Sequence, residues 1–292
     1  LFHMASSNPT IHEIYLNGGR TLRFDRPLVM GILNLTPDSF SDGGRVTSAE
    51  TAVALALEMI AQGADIIDIG GESSRPGAEP VSEDEELRRV IPVISEVRRA
   101  STMPISIDTY KANVAREALN AGADIINDIS ALRMDPQMVT VAAQSGAPVV
   151  LMHMLGIPRT MQQNPHYENC VGEVLSFFHE RIESCVQHGI ARDKLILDPG
   201  IGFGKTVDHN LIILQQLGEL AVLGRPIVLG TSRKAFVGAL LDRDLEDRLV
   251  GTLATVAIGA WNGAHILRVH DVQETREVLA IVHAIKEARG HG

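Results

Sequence analysis

The stretches GADIIDIGG (63–71), GADIINDIS (122–130) and GAHILRVHD (263–271) repeat one pattern along the chain. Each begins with Gly-Ala and a polar residue, continues with an apolar run and ends in polar residues. Each glycine follows an amphipathic stretch and can take the left-handed conformation that ends a helix, while the apolar run is typical of a strand buried on both faces. The pattern therefore predicts a repeated unit of helix, turn and parallel strand.

The same alternation extends over most of the chain. Strands are predicted at 28–34, 65–71, 104–109, 124–130, 148–154, 195–199, 226–232 and 266–270. A helix is predicted after each strand, at 49–62, 83–100, 111–121, 136–145, 168–188, 208–220, 245–262 and 271–289. Eight such pairs indicate an α/β fold, the (β/α)8 TIM barrel, with a doubly wound open sheet as the weaker alternative.

A segment with a different pattern precedes the first barrel strand. Residues 10–25 contain two short β-like runs around Asn17-Gly18-Gly19, which is a hairpin signal. We therefore divide the chain into an N-terminal tail with a short β-hairpin (1–27) and a (β/α)8 domain (28–292). The hairpin is expected to plug the N-terminal end of the barrel.

Composition restricts the class of protein. Hydrophobic residues make up 45% and charged residues 21% of the chain, which suits a globular core, and the net charge of −10 argues against nucleic-acid binding. No run of about 18 apolar residues and no secretion signal occur, so a membrane span is not expected. Cys170 and Cys185 have neither redox-pair nor zinc-site spacing, and a reducing cytoplasm is the simplest setting.

One glycine-rich stretch, DPGIGFGKT (198–206), is similar to a phosphate loop. A phosphate loop needs a glycine five positions before Gly204, and that position is Pro199. Proline has no N–H group to offer a phosphate and fixes φ. The stretch is therefore not predicted to bind phosphate.

Every predicted strand ends in polar residues, and the active site of a TIM barrel lies at that end of its strands. In chain order they are Asn34, then Glu72 with Ser74 and Arg75, Asp108, Asn127 with Asp128, His153, Asp198, Ser232 with Lys234, and Arg268 with His270. An ordinary turn residue accounts for any single position, but not easily for all eight ends. His153, between two methionines, is expected to be a core histidine rather than a catalytic one.

The polar residues form two chemical groups. The first offers acceptors and an amide for a flat heterocycle with amino and ring N–H groups: Asp108, Asn127 and Asp198. The second suits an anion: Arg75, Arg268 and His270. Arg268 and His270 lie two apart on one strand and so point to one face, whereas Leu267 and Val269 face the helices.

Two polar loops follow the first and second strands, NLTPDSFSDGG (34–44) and GESSRPG (71–77), and loops of this kind often act as lids. Asn34 supplies a neutral oxygen of the sort that Mg²⁺ accepts when phosphates and waters complete the octahedron, although a turn-capping asparagine is the alternative. Phe40 and Phe203 are loop aromatics that either contact a ligand or pack beneath their own loops.

Eight segments in this order resemble dihydropteroate synthase, the folate-pathway family targeted by sulfonamides: MGILNLTPDSFSDGG, GGESSRPGA, SIDTYK, INDIS, LMHM, LDPGIGFGKT, GTSRKAF and RVHDV. The resemblance runs from about residue 28 to the C-terminus. It implies a TIM barrel, a homodimer and a transferase that joins 6-hydroxymethyl-7,8-dihydropterin diphosphate to 4-aminobenzoate with loss of pyrophosphate.

The resemblance also implies residue roles. The pterin would be held by Asp108, Asn127, Asp198, Lys234 and Arg268, and the diphosphate by Asn34, Arg75, Arg268 and His270. Asn34 would also bind Mg²⁺. The 4-aminobenzoate site would comprise Pro37, Phe40, Ser74, Arg75, Phe203, Ser232 and Lys234. Catalytic roles would fall to Arg75, Lys234, Arg268 and His270; Ser74 replaces the usual threonine but keeps its hydroxyl, and Leu35 replaces a frequent valine.

Two other functions remain open at this point. A pterin-binding barrel that transfers methyl groups to a corrinoid shares heterocycle recognition but does not need Arg75 and His270. A noncatalytic homologue would bind a pterin without turnover. Only an assay separates these possibilities from a synthase.

Overall fold

A computed structural model of the protein describes residues 13–36, 49–73 and 79–288. The described chain begins with an antiparallel hairpin of two strands, β1 (Glu13–Tyr15) and β2 (Thr21–Arg23). A single turn of 3-10 helix at Asn17–Gly19 joins them, and Gly18 has a left-handed φ of 73° there. The Asn-Gly-Gly turn signal therefore predicted the hairpin correctly.

Eight parallel strands follow: β3 (Leu28–Asn34), β4 (Ile66–Gly70), β5 (Ile105–Asp108), β6 (Ile125–Asp128), β7 (Val149–Met152), β8 (Leu195–Asp198), β9 (Val228–Leu229) and β10 (Ile266–Val269). Their order in the sheet is β8-β7-β6-β5-β4-β3-β10-β9. The sheet closes between its edges, because the Leu197 N–H donates to the Pro226 carbonyl at 2.9 Å and Leu197 bridges to Ile227. The TIM barrel is confirmed, and the open doubly wound sheet is excluded.

The described residues contain nine α-helices: α1 (Ala49–Ala61), α2 (Glu83–Ala100), α3 (Ala112–Ala121), α4 (Met138–Ser145), α5 (Cys170–Gln187), α6 (Val207–Gln215), α7 (Ala235–Leu241), α8 (Leu249–Trp261) and α9 (Val272–Glu287). None of them is long and apolar enough to cross a membrane.

The sequence prediction missed α7 and made the neighbouring strand too long. β9 has only two residues, because the chain leaves the sheet at Gly230 and turns at Arg233, whose φ is 55°. Helix α7 starts immediately after this turn and ends at Leu241, and the next residue, Asp242, has a left-handed φ of 52°. Seven residues are too few for a clear helical periodicity, which is why the pattern did not reveal this helix.

Strand alternation separates two apolar cores. The larger core lies between the barrel and its helices and includes Leu267 and Val269, as predicted. The smaller core fills the N-terminal half of the barrel with inward residues from several strands: Leu28, Met30, Ile66, Ile125, Val150, Ile196, Val228 and Ile266. Ile14, Leu16 and Leu22 of the hairpin belong to this second core, so the hairpin covers that end of the barrel.

Candidate active site

A cavity of about 690 Å³ opens at the C-terminal ends of the barrel strands. Nine of the predicted site residues line it: Asn34, Asp108, Asn127, Asp198, Phe203, Ser232, Lys234, Arg268 and His270. The other four, Pro37, Phe40, Ser74 and Arg75, lie outside the described residues. The barrel thus brings together the candidates that the structure describes, although they come from distant parts of the sequence.

Arg268 is the charged centre of this site. It points inward from β10, and its guanidinium binds two carboxylates, with Nε 2.6 Å from Asp68 Oδ2 and Nη2 2.6 Å from Asp108 Oδ2. Burial by itself lowers the pKa of Arg268, but Asp68 and Asp108 outweigh it and raise that pKa above its usual value. Arg268 is therefore a permanent positive charge at the bottom of the cavity.

Asp68 is a site residue that the sequence analysis missed. It lies in the middle of β4 and is completely buried, with 0% of its side chain exposed. The predicted site residues lie at strand ends or in the loops that follow them, whereas Asp68 precedes the end of its strand. The signal was nevertheless present, because an acidic residue two positions after inward-facing Ile66 must point into the barrel.

Asp68 also fixes the orientation of Asn127. The Asn127 Nδ2 group donates to Asp68 Oδ2 at 3.1 Å. A carboxylate that is paired with an arginine can only accept hydrogen bonds, so the amide must turn its NH₂ group toward Asp68. The Asn127 amide oxygen is then the acceptor that the cavity wall presents.

The carboxyl groups of Asp108 and Asp198 hold their protons more tightly than usual. Burial raises the pKa of Asp108 to about 7, with Arg268 opposing this shift and Asp68 adding to it. Burial also raises the pKa of Asp198, although the Gly200 N–H donates to its Oδ1 atom at 2.8 Å. Ligand N–H groups that donate to Asp108 and Asp198 would oppose this effect and favour the ionised forms, because a hydrogen bond to the charged form stabilises it.

Lys234 and Phe203 form one wall of the cavity. The Lys234 Nζ atom lies 4.2 Å from the centre of the Phe203 ring, a cation–π distance. Gly202 lies beside them with a φ of 82°, and a Cβ there would meet Lys234 Cδ at 3.3 Å. An ammonium next to an aromatic face suits a flat ligand that carries a negative charge.

The loop 199–206 approaches the end of β7 too closely for a side chain. A Cβ at Gly200 would lie 1.9 Å from the carbonyl oxygen of His153, so only glycine fits. Lys205 folds inward from this loop, and its Nζ lies 2.8 Å from His153 Nδ1 and 3.1 Å from the Phe203 carbonyl. The buried lysine faces its own loop and β7, which agrees with the rejection of a phosphate loop.

His153 is a buried core histidine, as predicted. Only 5% of its surface is exposed. Burial first, and then the charge of Lys205, lower its pKa to about 2, and burial lowers the pKa of Lys205 to about 7. His153 is therefore neutral and accepts from Lys205 instead of acting as an acid.

Ser232 and His270 form a pair at the mouth of the cavity. The Ser232 Oγ atom lies 2.9 Å from His270 Nδ1 and accepts the His270 backbone N–H at 3.2 Å. The Ser232 hydroxyl can donate its proton to Nδ1. In the tautomer that accepts this bond, the His270 Nε2–H group is a donor for an anion.

Two other predicted strand-end residues have structural contacts instead. Asp128 points away from the cavity and accepts from the Ser130 N–H and hydroxyl at 2.7 Å and from the Leu132 N–H at 3.0 Å. Glu72 accepts from Lys111 at 2.5 Å and from the Tyr110 hydroxyl at 2.6 Å. Asp128 therefore stabilises the turn after β6, whereas Glu72 connects the end of β4 to the segment that follows β5.

The described residues contain no group of three or more His, Cys, Asp or Glu residues that could hold a metal ion. Asn34, at the end of β3, lines the cavity and was the predicted Mg²⁺ ligand. One amide oxygen fits Mg²⁺ only if substrate phosphates and water supply the other positions, which is the usual way that proteins bind this ion with phosphates. The residues present are compatible with that mode.

Comparisons with known proteins agree with this geometry. Residues 30–270 match the family model described as pterin binding enzyme. The dihydropteroate synthase of Haemophilus influenzae is 48% identical over 276 residues, which cover 94% of this chain and all of that protein.

Solved structures give the same result. The Yersinia pestis dihydropteroate synthase in a sulfonamide complex has a TM-score of 0.91 and 47% identity, covering 94% of this chain and 100% of that one. The Xanthomonas albilineans enzyme in complex with 7,8-dihydropteroate has a TM-score of 0.85 and 44% identity, covering 93% of this chain and 98% of that one. This chain therefore belongs to the pterin-binding enzyme family and, within it, to the dihydropteroate synthases.

Proposed function

We propose that the protein condenses 6-hydroxymethyl-7,8-dihydropterin diphosphate with 4-aminobenzoate to give 7,8-dihydropteroate and pyrophosphate. The single observation that supports this most strongly is the Arg268 guanidinium, held between Asp68 and Asp108 at the bottom of the cavity. It combines a fixed positive charge with hydrogen-bond acceptors for a heterocycle. A site for a neutral ligand does not need that combination.

The pterin is assigned to the inner part of the cavity. Its amino and ring N–H groups would donate to Asp108, Asp198 and the Asn127 amide oxygen. The face of the ring would stack against the Arg268 guanidinium, and Lys234 would donate to a ring acceptor. All five groups line the same cavity.

The diphosphate is assigned to the mouth of the cavity. His270 and Asn34 line the cavity with Arg268, which lies deeper and would reach the diphosphate from below, and Arg75 is the further cation that the family resemblance implies. Bound Mg²⁺ would supply additional positive charge for the departing pyrophosphate, with Asn34 as its protein ligand. The Nε2–H group of His270, set by Ser232, would donate to a phosphate oxygen.

The second substrate is assigned to the wall formed by Phe203, Lys234 and Ser232. The benzoate ring would contact Phe203, and the cationic Lys234 beside that ring would attract the carboxylate. Pro37, Phe40, Ser74 and Arg75 complete this site in the proposal. A sulfonamide is expected to inhibit by occupying the same wall, as a mimic of the arylamine.

The chemistry needs no protein nucleophile. The C–O bond between the pterin methylene and the diphosphate breaks, and the diphosphate leaves with the electron pair. The dihydropterin ring delocalises positive charge onto the methylene carbon, which the amine of 4-aminobenzoate then attacks before losing a proton. Fixed charges such as Arg268 would stabilise the departing anion without rearranging, which is the form of electrostatic catalysis that often dominates.

A homodimer is a further part of the proposal. The outer faces of α8 and α9 expose a set of large apolar side chains: Val250, Ile258, Trp261, Ile281 and Ile285. Such a set is unusual on a monomer surface, and a two-fold dimer can bury one patch against its own copy. Val250, with 77% of its surface exposed, is the natural probe. Sedimentation of Val250→Glu should show a lighter species than the wild-type protein, and an unchanged mass would exclude this face.

A reducing cytoplasm is the proposed location. Cys170 and Cys185 are free thiols that lie about 22 Å apart along α5, too far to pair with each other, and both are buried away from solvent thiols. No nucleic-acid partner is proposed.

The test of the proposed function is pyrophosphate release from the dihydropterin diphosphate with Mg²⁺, with and without 4-aminobenzoate. Mass spectrometry should detect dihydropteroate only when both substrates are present. Arg268→Ala should reduce turnover severely. Binding of the diphosphate without any turnover would support a noncatalytic pterin-binding protein, and absence of binding would direct attention to the methyltransferase alternative.

A further inference from the structure

Two carboxylates bind the Arg268 guanidinium, and they differ in their access to the cavity. Asp108 lines the cavity and has 12% of its side chain exposed, whereas Asp68 lies deeper in the barrel with none exposed. A ligand can therefore reach Asp108 but not Asp68. The two ion pairs have equal N···O distances of 2.6 Å but unequal accessibility.

Asp108 has two competing partners. In the structure its Oδ2 atom is engaged by Arg268 Nη2. A heterocycle that donates N–H groups to Asp108 must displace or share this guanidinium contact. Removing one partner from a buried ion pair is strongly unfavourable, because it leaves a buried charge without compensation.

Asp68 supplies that compensation. Its Oδ2 atom accepts from Arg268 Nε and from the Asn127 amide, so one oxygen joins two groups that meet the ligand. The Asp68 Oδ1 atom has no hydrogen-bond partner among the described residues, and its burial keeps it from the ligand. Among the described residues, both hydrogen-bond partners of this carboxylate are residues of the site.

We propose that Asp68 is a positioning residue that keeps Arg268 and Asn127 in place while Asp108 exchanges the guanidinium for the heterocycle. Arg268 then stays neutralised when the ligand enters, and Asp108 is released to accept from it. The inference rests on the proposed function, because it takes a pterin to be the ligand that meets Asp108.

The test variant is Asp68→Asn, which keeps the shape of the side chain and removes its charge. With Asp68 neutral, Arg268 depends on Asp108 alone, so the pterin must compete for Asp108 against a stronger partner. Calorimetric titration with 6-hydroxymethyl-7,8-dihydropterin should show affinity weakened by at least about tenfold, the loss expected for one hydrogen bond to a charged group. The KM for 4-aminobenzoate should stay near its wild-type value.

Ser106→Ala is the matched control. Ser106 lies beside Asp68 in the sheet register, is also fully buried, and has a hydroxyl without a partner among the described residues. It touches neither Arg268 nor Asn127 in the contacts that the structure shows. Its removal should leave pterin affinity and both KM values unchanged, and thermal unfolding of both variants will report any general damage.

The exchange itself is tested in the Asp108→Asn background. There Arg268 and the ligand no longer compete for a carboxylate, so adding Asp68→Asn should weaken the pterin much less than it does in the wild-type background. Equal weakening in both backgrounds, or wild-type affinity in Asp68→Asn, overturns the inference. If the double variant does not fold, the single variant Asp68→Asn provides the test. An equal weakening of pterin affinity and of 4-aminobenzoate binding, seen as a higher KM, would overturn the inference.

Titration of the wild-type protein distinguishes a failure of the proposed function from a failure of the role assigned to Asp68. If the wild-type protein does not bind the dihydropterin, the proposed function fails. If it binds and Asp68→Asn binds equally well, only the role of Asp68 is wrong.

Discussion

The two ends of the barrel interior use the same strands for opposite purposes. On β4, β6, β8 and β10, an inward isoleucine is followed two positions later by an inward polar residue, in the pairs Ile66 and Asp68, Ile125 and Asn127, Ile196 and Asp198, and Ile266 and Arg268. The isoleucines form the lower core that the hairpin covers. Asn127, Asp198 and Arg268 line the cavity, and Asp68 lies directly beneath it. Two residues further along each of these strands, the barrel interior therefore changes from an apolar core to a polar site.

The difference shows where stability and function are located. Apolar burial contributes roughly 25 cal/mol per Å² and does not depend on exact geometry, so the lower layer is expected to stabilise the fold. A buried ion pair is weak evidence for stability, because desolvation offsets most of the attraction. The upper layer is therefore expected to contribute mainly to ligand binding.

The largest expected effect is a loss of stability from a substitution at the lower end of one strand, β6. Ile125→Ala removes a fully buried side chain from the lower core and should lower the free energy of unfolding by about 2–5 kcal/mol. Activity per folded molecule should stay within about threefold, since the site is unaffected. Urea unfolding and active-site titration measure the two quantities.

Asn127→Ala is the matched variant on the same strand and face. It should cost only about 1 kcal/mol of stability, the typical net value of one hydrogen bond. Pterin binding should nevertheless weaken by at least about tenfold, because the ligand loses a buried partner. Similar stability losses in both variants would contradict the proposed division.

A second comparison uses two arginines with similar surroundings at opposite ends. Arg268 and Arg98 have 18% and 19% of their side chains exposed, and each pairs with a fully buried aspartate, Asp68 or Asp124. Arg268→Lys keeps the charge but loses the planar fork, and turnover should fall by about 100-fold. Steady-state kinetics with both substrates measure this loss.

Arg98→Lys is the control at the lower end. Arg98 Nη2 lies 2.5 Å from Asp124 Oδ2, far from the cavity, and Nε donates to the Gly122 carbonyl. The substitution should lower the unfolding midpoint and leave turnover unchanged. An equal loss of turnover in both variants would show that the loss reflects folding rather than the site.

The third prediction concerns pH. The pKa of Asp108 is about 7 in the folded protein, above its usual value of 3.8. The folded state therefore binds more protons than the unfolded state between about pH 4 and pH 7, and this carboxyl group makes the protein less stable as pH rises through that window. Asp108→Asn removes the effect, so the variant should gain stability relative to wild type as pH rises from 4 to 7.

Urea unfolding of both proteins at several pH values measures that difference. The expected difference between the two proteins is small near pH 3, where Asp108 is largely protonated in both states, and largest above about pH 7. A difference that does not vary with pH would mean that Asp108 has an ordinary pKa and that the upper layer is less desolvated than the structure indicates.

The smallest expected effect concerns the cover at the lower end. Asn17 in the hairpin turn donates from Nδ2 to the Ser145 carbonyl at the end of α4, 3.1 Å away. Asn17→Ala should cost about 1 kcal/mol or less and leave activity unchanged. The control is Gln62→Ala, which removes an equally long but local bond to Glu58 and should cost less. A loss of activity in Asn17→Ala would show that the two ends are coupled.

The sequence alone determined the architecture and most of the site. Gly-Ala turns recur along the chain before buried apolar runs. These local patterns predict the helices and strands because each element has its own periodicity in the sequence. The polar residues at the strand ends were also readable, since every strand of a TIM barrel presents its carboxyl end to one face. Arg268, Asp108, Asn127 and Asp198 were predicted as site candidates on that basis, and all four line the same cavity.

Only the tertiary structure decided how those side chains divide their contacts. It showed that Arg268 is shared between Asp68 and Asp108, that Asp128 points away from the cavity, and that Lys205 is buried against His153. Asp68, Asp108 and Arg268 come from three different strands, so the distances between them depend on the closure and register of the sheet. A sequence reveals the direction of a side chain on its own strand, but the groups that it meets, and hence its charge state, are set by strands distant in the sequence.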